Sequence, residues 1–192
     1  MASYSSSSRA WPLPLKGHYL IYGEAGVGKS ALTSYLIDSC CFSGRSSVYV
    51  CTEDELTLLH LRCDEVRTAI VRDYKEMLLA LLEAFSYDCL ALDSISAFTR
   101  FLPPSLGSRV SAFTSWLMHE RAKRGKLSVT VAQKSSKTGR APYYEFVEPW
   151  ADYVLRVERR GRVKRAVVAV WPEGLELERC FEIRGGIEWV PC

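Results

Sequence analysis

Short apolar runs alternate with longer segments of helical spacing through the first two thirds of the chain. The runs lie at His18–Tyr22, Ser47–Cys51, Cys89–Leu92 and Leu127–Ala132. Each has the length and apolar character of a buried strand. The pattern therefore predicts strands that alternate with helices, which is typical of a parallel sheet flanked by helices.

The segments between these strands predict three helices. The first follows a glycine-rich loop and extends to about Cys41, where Ser43-Gly44 ends it. In the second, apolar residues recur at helical spacing from Asp64 to Phe85 and form one face. The third spans Arg109–Arg124, and Ser108 is its predicted N-cap.

The last third of the chain has a different pattern, because apolar and polar residues alternate and the turns contain Gly or Pro. Strands are predicted at Asp152–Arg160, Val163–Trp171, Cys180–Ile183 and Ile187–Val190. The predicted fold class is therefore α/β: a mainly parallel, twisted sheet flanked by helices, with antiparallel strands appended at the C-terminus. We expect residues 1–17 to form a flexible tail and residues 18–192 to form a single domain.

The loop after the first strand carries the strongest functional motif. Gly23–Ser30, GEAGVGKS, fits G-x-x-x-x-G-K-[S/T], the phosphate loop of P-loop NTPases. Its glycines let backbone N–H groups point inward, and the following helix adds its positive end. Lys29 is expected to reach the β- and γ-phosphates, and Ser30 to ligate Mg²⁺. The predicted nucleotide-binding residues are Gly23, Glu24, Ala25, Gly26, Val27, Gly28, Lys29, Ser30 and Ala31.

Two other strands end in acidic residues. Cys89–Leu92 is followed by Asp93, which matches the Walker B pattern, in which the aspartate holds Mg²⁺. Ser47–Cys51 is followed by Thr52 and the acidic cluster Glu53, Asp54 and Glu55. Ligands of open α/β sheets bind at the carboxyl ends of the strands. The sequence therefore predicts a site for Mg²⁺ and a nucleotide at this edge.

Composition suits a single soluble domain. The chain has 192 residues, of which 48% are hydrophobic and 24% charged, and its formal net charge is +3. No apolar run approaches the roughly 18 residues that a membrane span needs, so we expect no membrane partner. The small net charge neither demands nor excludes nucleic acid, which makes the distribution of charge more informative than its sum.

The cysteines and histidines do not indicate a metal site. The seven cysteines include no C-x-x-C pair, and the three histidines lack ligand spacing. Most cysteines lie in apolar segments, where they behave as small hydrophobic residues. We expect reduced thiols in a cytoplasmic protein, with disulfides as the alternative if the source is a hyperthermophile.

Taken in order, these segments resemble the ATPase core of the RecA/RadA recombinase family, and most closely the short archaeal RadB-like paralogs of RadA. The resemblance covers about Leu20 to Val190. It rests on GEAGVGKS, VYVCTEDEL, YDCLALDSISAFTR, VTVAQK and the closing AVVAVWPEGLELERCFEIRGGIEWV. It implies a RecA-like P-loop core that binds ATP and Mg²⁺ and hydrolyses ATP slowly.

The resemblance also assigns roles to individual residues. Glu53 would activate the attacking water, although Asp54 or Glu55 could hold that role instead. Gln133 would sense the γ-phosphate. Lys134, Lys137 and Arg140 would occupy the family's second DNA loop, which favours single-stranded DNA as a partner. Independently of the resemblance, a basic hairpin that turns at Gly161 offers a separate DNA-binding ridge with Arg159, Arg160 and Arg162.

Two departures from the family bear on function. Only a short segment precedes the first strand, so the helical N-terminal domain of full recombinases is expected to be absent. The family's self-assembly segment is not recognisable, although Trp11 could dock on another subunit or pack on its own domain.

Two functions stay open. One is a DNA-binding paralog that assists or regulates homologous recombination and DNA repair. The other is a nucleotide-dependent interaction module with negligible turnover, which docks on a full-length recombinase or another repair protein. A small-molecule kinase is disfavoured, because the strand-rich last third of the chain offers no evident lid or acceptor pocket.

Overall fold

A nine-stranded mixed sheet organises the molecule, with strand order β3-β2-β4-β5-β1-β6-β7-β8-β9. The computed structural model describes residues 11–53, 55–134, 139, 141–172, 174–175 and 177–192. The strands are β1 (Gly17–Gly23), β2 (Ser47–Cys51), β3 (Arg67–Ile70), β4 (Cys89–Asp93), β5 (Leu127–Gln133), β6 (Tyr153–Arg160), β7 (Lys164–Trp171), β8 (Glu178–Ile183) and β9 (Ile187–Val190). Strands β1 to β6 pair in parallel and β6 to β9 pair in antiparallel fashion, so the predicted α/β class is confirmed.

Helices cover both faces of the parallel part of the sheet. They are α1 (Lys29–Phe42), α2 (Tyr74–Glu83), α3 (Ser96–Thr99), α4 (Pro104–Ala122) and α5 (Tyr144–Val147). In the part of the chain that the structure describes, no helix is both long enough and apolar enough to cross a membrane.

Two apolar layers form the core, one on each face of the sheet. Tyr19 and Ile21 of β1 point to the layer that contains Leu32 and Leu36 of α1. Leu20, between them in sequence, belongs to the opposite layer, together with residues of α2 and α4. Successive residues of a strand face opposite sides, so a strand buried on both faces has a continuous apolar run.

The predicted helix from Asp64 to Phe85 is wrong in its first part. Arg67–Ile70 forms β3, which pairs in parallel with β2 at the edge of the sheet. The helix proper starts only at Tyr74, because the Asp73 side chain accepts hydrogen bonds from the backbone N–H groups of Lys75 and Glu76. This N-cap separates the strand from the helix, and spacing alone does not reveal the break.

The third predicted helix starts earlier than expected. Helix α4 begins at Pro104 and not at Arg109, so Ser108 is not its N-cap. Proline is well suited to the first helical position, because that residue needs no intrahelical N–H donor. Gly107 lies inside the helix, where a Cβ would collide with the ring of Tyr143.

The appended strands are antiparallel with one exception. Strand β6 pairs in parallel with β1 before it turns into the antiparallel hairpin with β7. The expectation of antiparallel pairing is therefore wrong for the β1–β6 pair and confirmed for β7, β8 and β9. This arrangement places β6 directly beside the strand that leads into the glycine-rich loop.

Six of the seven cysteines are paired in disulfides, contrary to the expectation of reduced thiols. Disulfides join Cys40 to Cys89, Cys41 to Cys63 and Cys180 to Cys192. The Cα–Cα distances of 6.5, 6.3 and 5.0 Å lie within the range that a disulfide spans. The Sγ atom of the buried Cys51 lies 3.0 Å from the Thr57 hydroxyl. The partners are far apart in sequence, so spacing could not identify them.

Trp11 packs on its own domain. Its ring centroid lies 6.4 Å from that of Tyr19 and 5.8 Å from that of Trp189. Leu13 and Leu15 pack against the same apolar layer. Residues 11–15, which the sequence assigns to the tail, therefore contribute to the core, while residues 1–10 lie outside the described residues.

His18 is a buried histidine held by two polar contacts. Its Nδ1 lies 2.9 Å from the Trp150 carbonyl oxygen, and its Nε2 lies 2.9 Å from the Thr130 hydroxyl. Burial lowers the pKa of this imidazole to about 4 from its ordinary 6.5, so the folded protein keeps it neutral.

We expect stability to fall as the pH is lowered through the range of this histidine. Between about pH 7 and pH 5 the unfolded chain binds a proton at His18 that the folded protein excludes, which favours unfolding by about 2 kcal/mol. Denaturant unfolding across this range should show the loss in the wild type and a flatter profile in His18→Gln. Equal pH dependence in both proteins would contradict the assignment.

Candidate nucleotide-binding site

The site forms where the parallel strands end. Gly23 at the end of β1 pairs with Gln133 at the end of β5, and Cys51 at the end of β2 pairs with Asp93 at the end of β4. Because these strands are parallel, their carboxyl ends share one edge of the sheet. The residues predicted from separate motifs are therefore brought together.

The glycine-rich loop has the backbone that its sequence predicts. Gly26 and Gly28 adopt positive φ angles of 69° and 97°, and α1 begins at the next residue, Lys29. A Cβ on Gly28 would come within 3.1 Å of Ile183 Cδ1, so a larger residue is disfavoured by both conformation and space. The loop therefore presents the N-terminus of a fourteen-residue helix to the cavity.

Lys29 is largely buried, with 8% of its surface exposed. Its Nζ donates a hydrogen bond of 2.6 Å to the carbonyl oxygen of Glu24 within the loop. Burial lowers the pKa of the ammonium, and the carboxylates of Asp93 and Glu53 act in the opposite direction. The lysine is thus a desolvated cation at the loop. An anionic ligand would offset the cost of burying this charge.

Asp93 is the most buried acidic group of the site, with 3% of its surface exposed. The Tyr49 hydroxyl donates a hydrogen bond of 2.6 Å to its Oδ2. Burial raises its pKa, which hydrogen bonds from Tyr49 and Ser30 lower. A carboxylate in contact with a serine hydroxyl is the kind of oxygen donor set that Mg²⁺ prefers, so these residues fit the predicted cation.

Glu53 lies beside Asp93 and is held by its neighbours. The Ser94 hydroxyl donates a hydrogen bond of 2.8 Å to its Oε1, and Arg100 Nη2 lies 3.7 Å from the same oxygen. Thr52 anchors the backbone next to it: its N–H donates to the Asp93 carbonyl oxygen at 2.8 Å, and its hydroxyl donates to the Ser94 carbonyl oxygen at 2.7 Å. The strand ends of β2 and β4 are therefore fastened together.

Glu53 and Glu55 differ in their position relative to the cavity. Glu53 lines the cavity, whereas Glu55 is exposed at the start of a 3₁₀ helix, Glu55–His60. Asp54 lies outside the described residues. Of the two described glutamates, Glu53 is the one that lines the cavity.

A cavity of about 350 Å³ connects these residues. It is lined by Ala25, Gly26, Gly28, Lys29, Ser30, Ala31, Glu53, Leu56, Thr57, His60, Asp93, Ser94, Gln133 and Ile183. Sequence reasoning did not identify Leu56, Thr57, His60, Ser94 or Ile183 as site residues. The first three directly follow the Glu53 strand end, which is a usable signal. Ile183 comes from β8, and no local pattern marks it.

Gln133 and Lys134 leave the sheet beside the glycine-rich loop. The Gln133 N–H donates to the Ser96 hydroxyl at 2.9 Å, and the Lys134 N–H donates to the Gly23 carbonyl oxygen at 2.8 Å. Gln133 reaches the cavity wall, as its predicted role requires. Of the three predicted DNA-binding residues of this loop, Lys134 is described, whereas Lys137 and Arg140 lie outside the described residues.

The hairpin arginines do not line this cavity, and they differ in their contacts. Arg159 lines a neighbouring cavity together with Lys134 and Gly23. Arg160 Nη2 lies 2.6 Å from a Glu158 carboxylate oxygen and 3.1 Å from one of Glu178. Arg159 and Arg162 are exposed. The ridge is therefore less basic than its sequence indicates, because β8 brings a second glutamate to it.

The fold and the glycine-rich loop together define a P-loop protein with a RecA-like fold. The structure is similar to the KaiC-like protein PH0186 from the hyperthermophilic archaeon Pyrococcus horikoshii OT3, with a TM-score of 0.67 and 18% identity over 91% of this chain and 89% of that one. It is also similar to the flagellar accessory protein FlaH from Methanocaldococcus jannaschii, with a TM-score of 0.69 and 15% identity over 92% and 90% of the two chains. No protein-family model and no curated protein matches the chain. At these identities the likeness establishes the fold, and a closer kinship with RadA paralogs stays a prediction.

Proposed function

We propose that this protein binds MgATP at the cavity and hydrolyses it slowly. The observation that carries the proposal is the convergence of Lys29, at the start of α1, with Glu53 and Asp93, at the ends of β2 and β4, around one cavity. A desolvated cation, an oxygen donor pair and a further carboxylate are the groups that phosphoryl transfer to water needs.

Each residue has a role that follows from its position. The loop backbone and Lys29 would hold the phosphates, and Ser30 and Asp93 would hold Mg²⁺, which supplies charge neutralisation when bound. Glu53 would accept a proton from the attacking water as a general base. Gln133 would respond to the γ-phosphate and transmit its presence to Lys134 and the segment that follows.

A second candidate function is a nucleotide-dependent interaction module with negligible turnover. It is favoured by the contacts of Glu53. Ser94 and Arg100 both contact Oε1 of this carboxylate, which restrains the group proposed as the general base. MgATP binding measured by fluorescence titration and phosphate release measured with and without single-stranded DNA separate the two. Binding without measurable release under either condition would favour the interaction module, and absence of binding would refute both.

We further propose that the protein acts as a cytoplasmic RadA-type paralog that binds single-stranded DNA and assists or regulates recombination. Support comes from the sequence resemblance and from the position of Lys134, whose backbone is hydrogen-bonded to the glycine-rich loop. A full-length recombinase or another repair protein is the proposed protein partner. Sequence preference should be weak, because phosphate contacts carry no base information.

A triple variant in which Glu replaces Lys134, Lys137 and Arg140 should lose most of the affinity for single-stranded DNA. If the wild type makes roughly three to six phosphate contacts, the logarithm of its affinity should fall with the logarithm of salt concentration at a slope of about −2 to −4. Fluorescence anisotropy with a labelled oligonucleotide measures both quantities. MgATP affinity should not change, because these side chains are not assigned to the nucleotide.

The double variant Arg159→Glu with Arg162→Glu is the comparison for this measurement. Loss of binding in the double variant, with normal binding in the triple one, would place DNA on the hairpin. If neither set of reversals weakens binding, the DNA proposal fails and the interaction module becomes the better account.

A further inference from the structure

Among the described residues, the hydrogen bond and the ion pair of the Glu53 side chain both involve one carboxylate oxygen, Oε1. Its Oε1 accepts the hydrogen bond from the Ser94 hydroxyl at 2.8 Å and faces Arg100 Nη2 at 3.7 Å. The hydrogen bond from Ser94 occupies one lone pair of Oε1, and the guanidinium, at ion-pair distance, attracts the same oxygen electrostatically. A general base must offer a free lone pair to the water that it deprotonates.

Arg100 connects this carboxylate to the protein surface. It follows the short helix α3, which starts close to Ser94, and its guanidinium lies 5.2 Å from the ring centroid of Phe101. Phe101 is 80% exposed, and the Arg100 and Glu53 side chains are 37% and 35% exposed. The ion pair thus lies where displacement of one solvent-accessible side chain can open it.

We propose that Arg100 is a positioning residue that, together with Ser94, holds Glu53 toward α3 and restrains its use as a base. This inference rests on the proposed ATP hydrolysis and names a restraint built into the same site. Removal of the guanidinium should abolish the attraction that holds Oε1 toward α3 and raise turnover, while the nucleotide contacts of the glycine-rich loop stay as they are.

The size of the effect follows from the exposure of the pair. Ion pairs with this degree of exposure change an equilibrium by about 1.5- to 5-fold, because solvent screens them and ordering two long side chains opposes them. A restraint of this strength would lower turnover without abolishing it. It would also be weak enough for a modest displacement of Arg100 to release it.

The first measurement uses the protein without nucleotide. Arg100→Met, Glu53→Gln and the double variant form a double-mutant cycle on the equilibrium constant of unfolding, measured by denaturant titration. We expect a coupling of about 1.5- to 5-fold between the two residues. Effects that simply multiply, with no coupling, would overturn the restraint.

The second measurement is steady-state phosphate release. Arg100→Met should raise kcat by about 2- to 5-fold and change KM for ATP by less than about twofold. Arg100→Lys, which keeps the charge, should give a smaller rise. The matched control Arg109→Met removes an exposed arginine from α4 and should leave kcat unchanged. A purely structural Arg100 would not give this order of rates.

The outcomes separate this inference from the proposed function. If the wild type fails to bind MgATP, the proposed function is refuted, and the restraint on turnover is refuted with it. If MgATP binds normally and Arg100→Met leaves kcat unchanged or lowers it, the restraint is wrong, whereas nucleotide binding stands.

Discussion

Lys29→Ala should weaken MgATP binding by at least about 30-fold while the fold stays intact. Truncation of one member of a buried charge contact typically costs about 2–5 kcal/mol, and a phosphate group left without the ammonium is such a case. The fold should tolerate the change, since burial already disfavours the charged lysine, as the lowered pKa shows. Isothermal titration calorimetry, or titration with a fluorescent ATP analogue, measures the affinity for MgATP. Circular dichroism checks that the fold is intact.

Lys75→Ala is the matched control for this experiment. Lys75 is exposed on α2, away from the cavity lining, so its loss removes the same charge without removing a phosphate contact. Affinity should be unchanged in the control. If Lys29→Ala binds MgATP as well as the wild type, the glycine-rich loop is not a phosphate loop.

Glu53→Gln should lower phosphate release by about 10²-fold or more and leave MgATP affinity within about threefold of the wild type. The amide keeps the size of the carboxylate and can still accept the hydrogen bond from Ser94, but it cannot accept a proton from water. Single-turnover phosphate release is the suitable measurement, because the wild-type rate itself is expected to be low.

Glu55→Gln provides the control for the general base. Glu55 is the exposed neighbour at the start of the 3₁₀ helix, and it does not line the cavity. Its variant should keep the wild-type rate. The reverse result, with turnover lost in Glu55→Gln and retained in Glu53→Gln, would move the role of base to Glu55.

The parts of the fold that local sequence determines were predicted well. The glycine-rich loop, β2 and the end of β4 at Asp93 lie where their motifs place them. Gly28 has a positive φ directly before α1, which glycine adopts without strain, and Asp93 ends an apolar strand of ordinary length. Such features depend on a few adjacent residues, so a short pattern is enough to identify them.

The predictions that failed depend on contacts between distant segments. The Asp64–Phe85 segment has helical spacing, yet Arg67–Ile70 becomes a strand because β2 offers it an edge with which to pair. The six paired cysteines could not be matched from sequence, since their partners are 49, 22 and 12 residues away. Pairing with a distant strand overrides local helical spacing in the first case, and the fold brings distant cysteines together in the second.

The sequence by itself determined the chemistry available to this protein: a glycine-rich loop with Lys29, an aspartate at a strand end and an acidic cluster at another. Only the tertiary structure decided which groups meet. It places Glu53 between Ser94 and Arg100, and brings Ile183 from β8 against Gly28. The physical reason is that residue type and spacing are local properties, whereas contacts across the sheet depend on the order and direction of strands far apart in the chain.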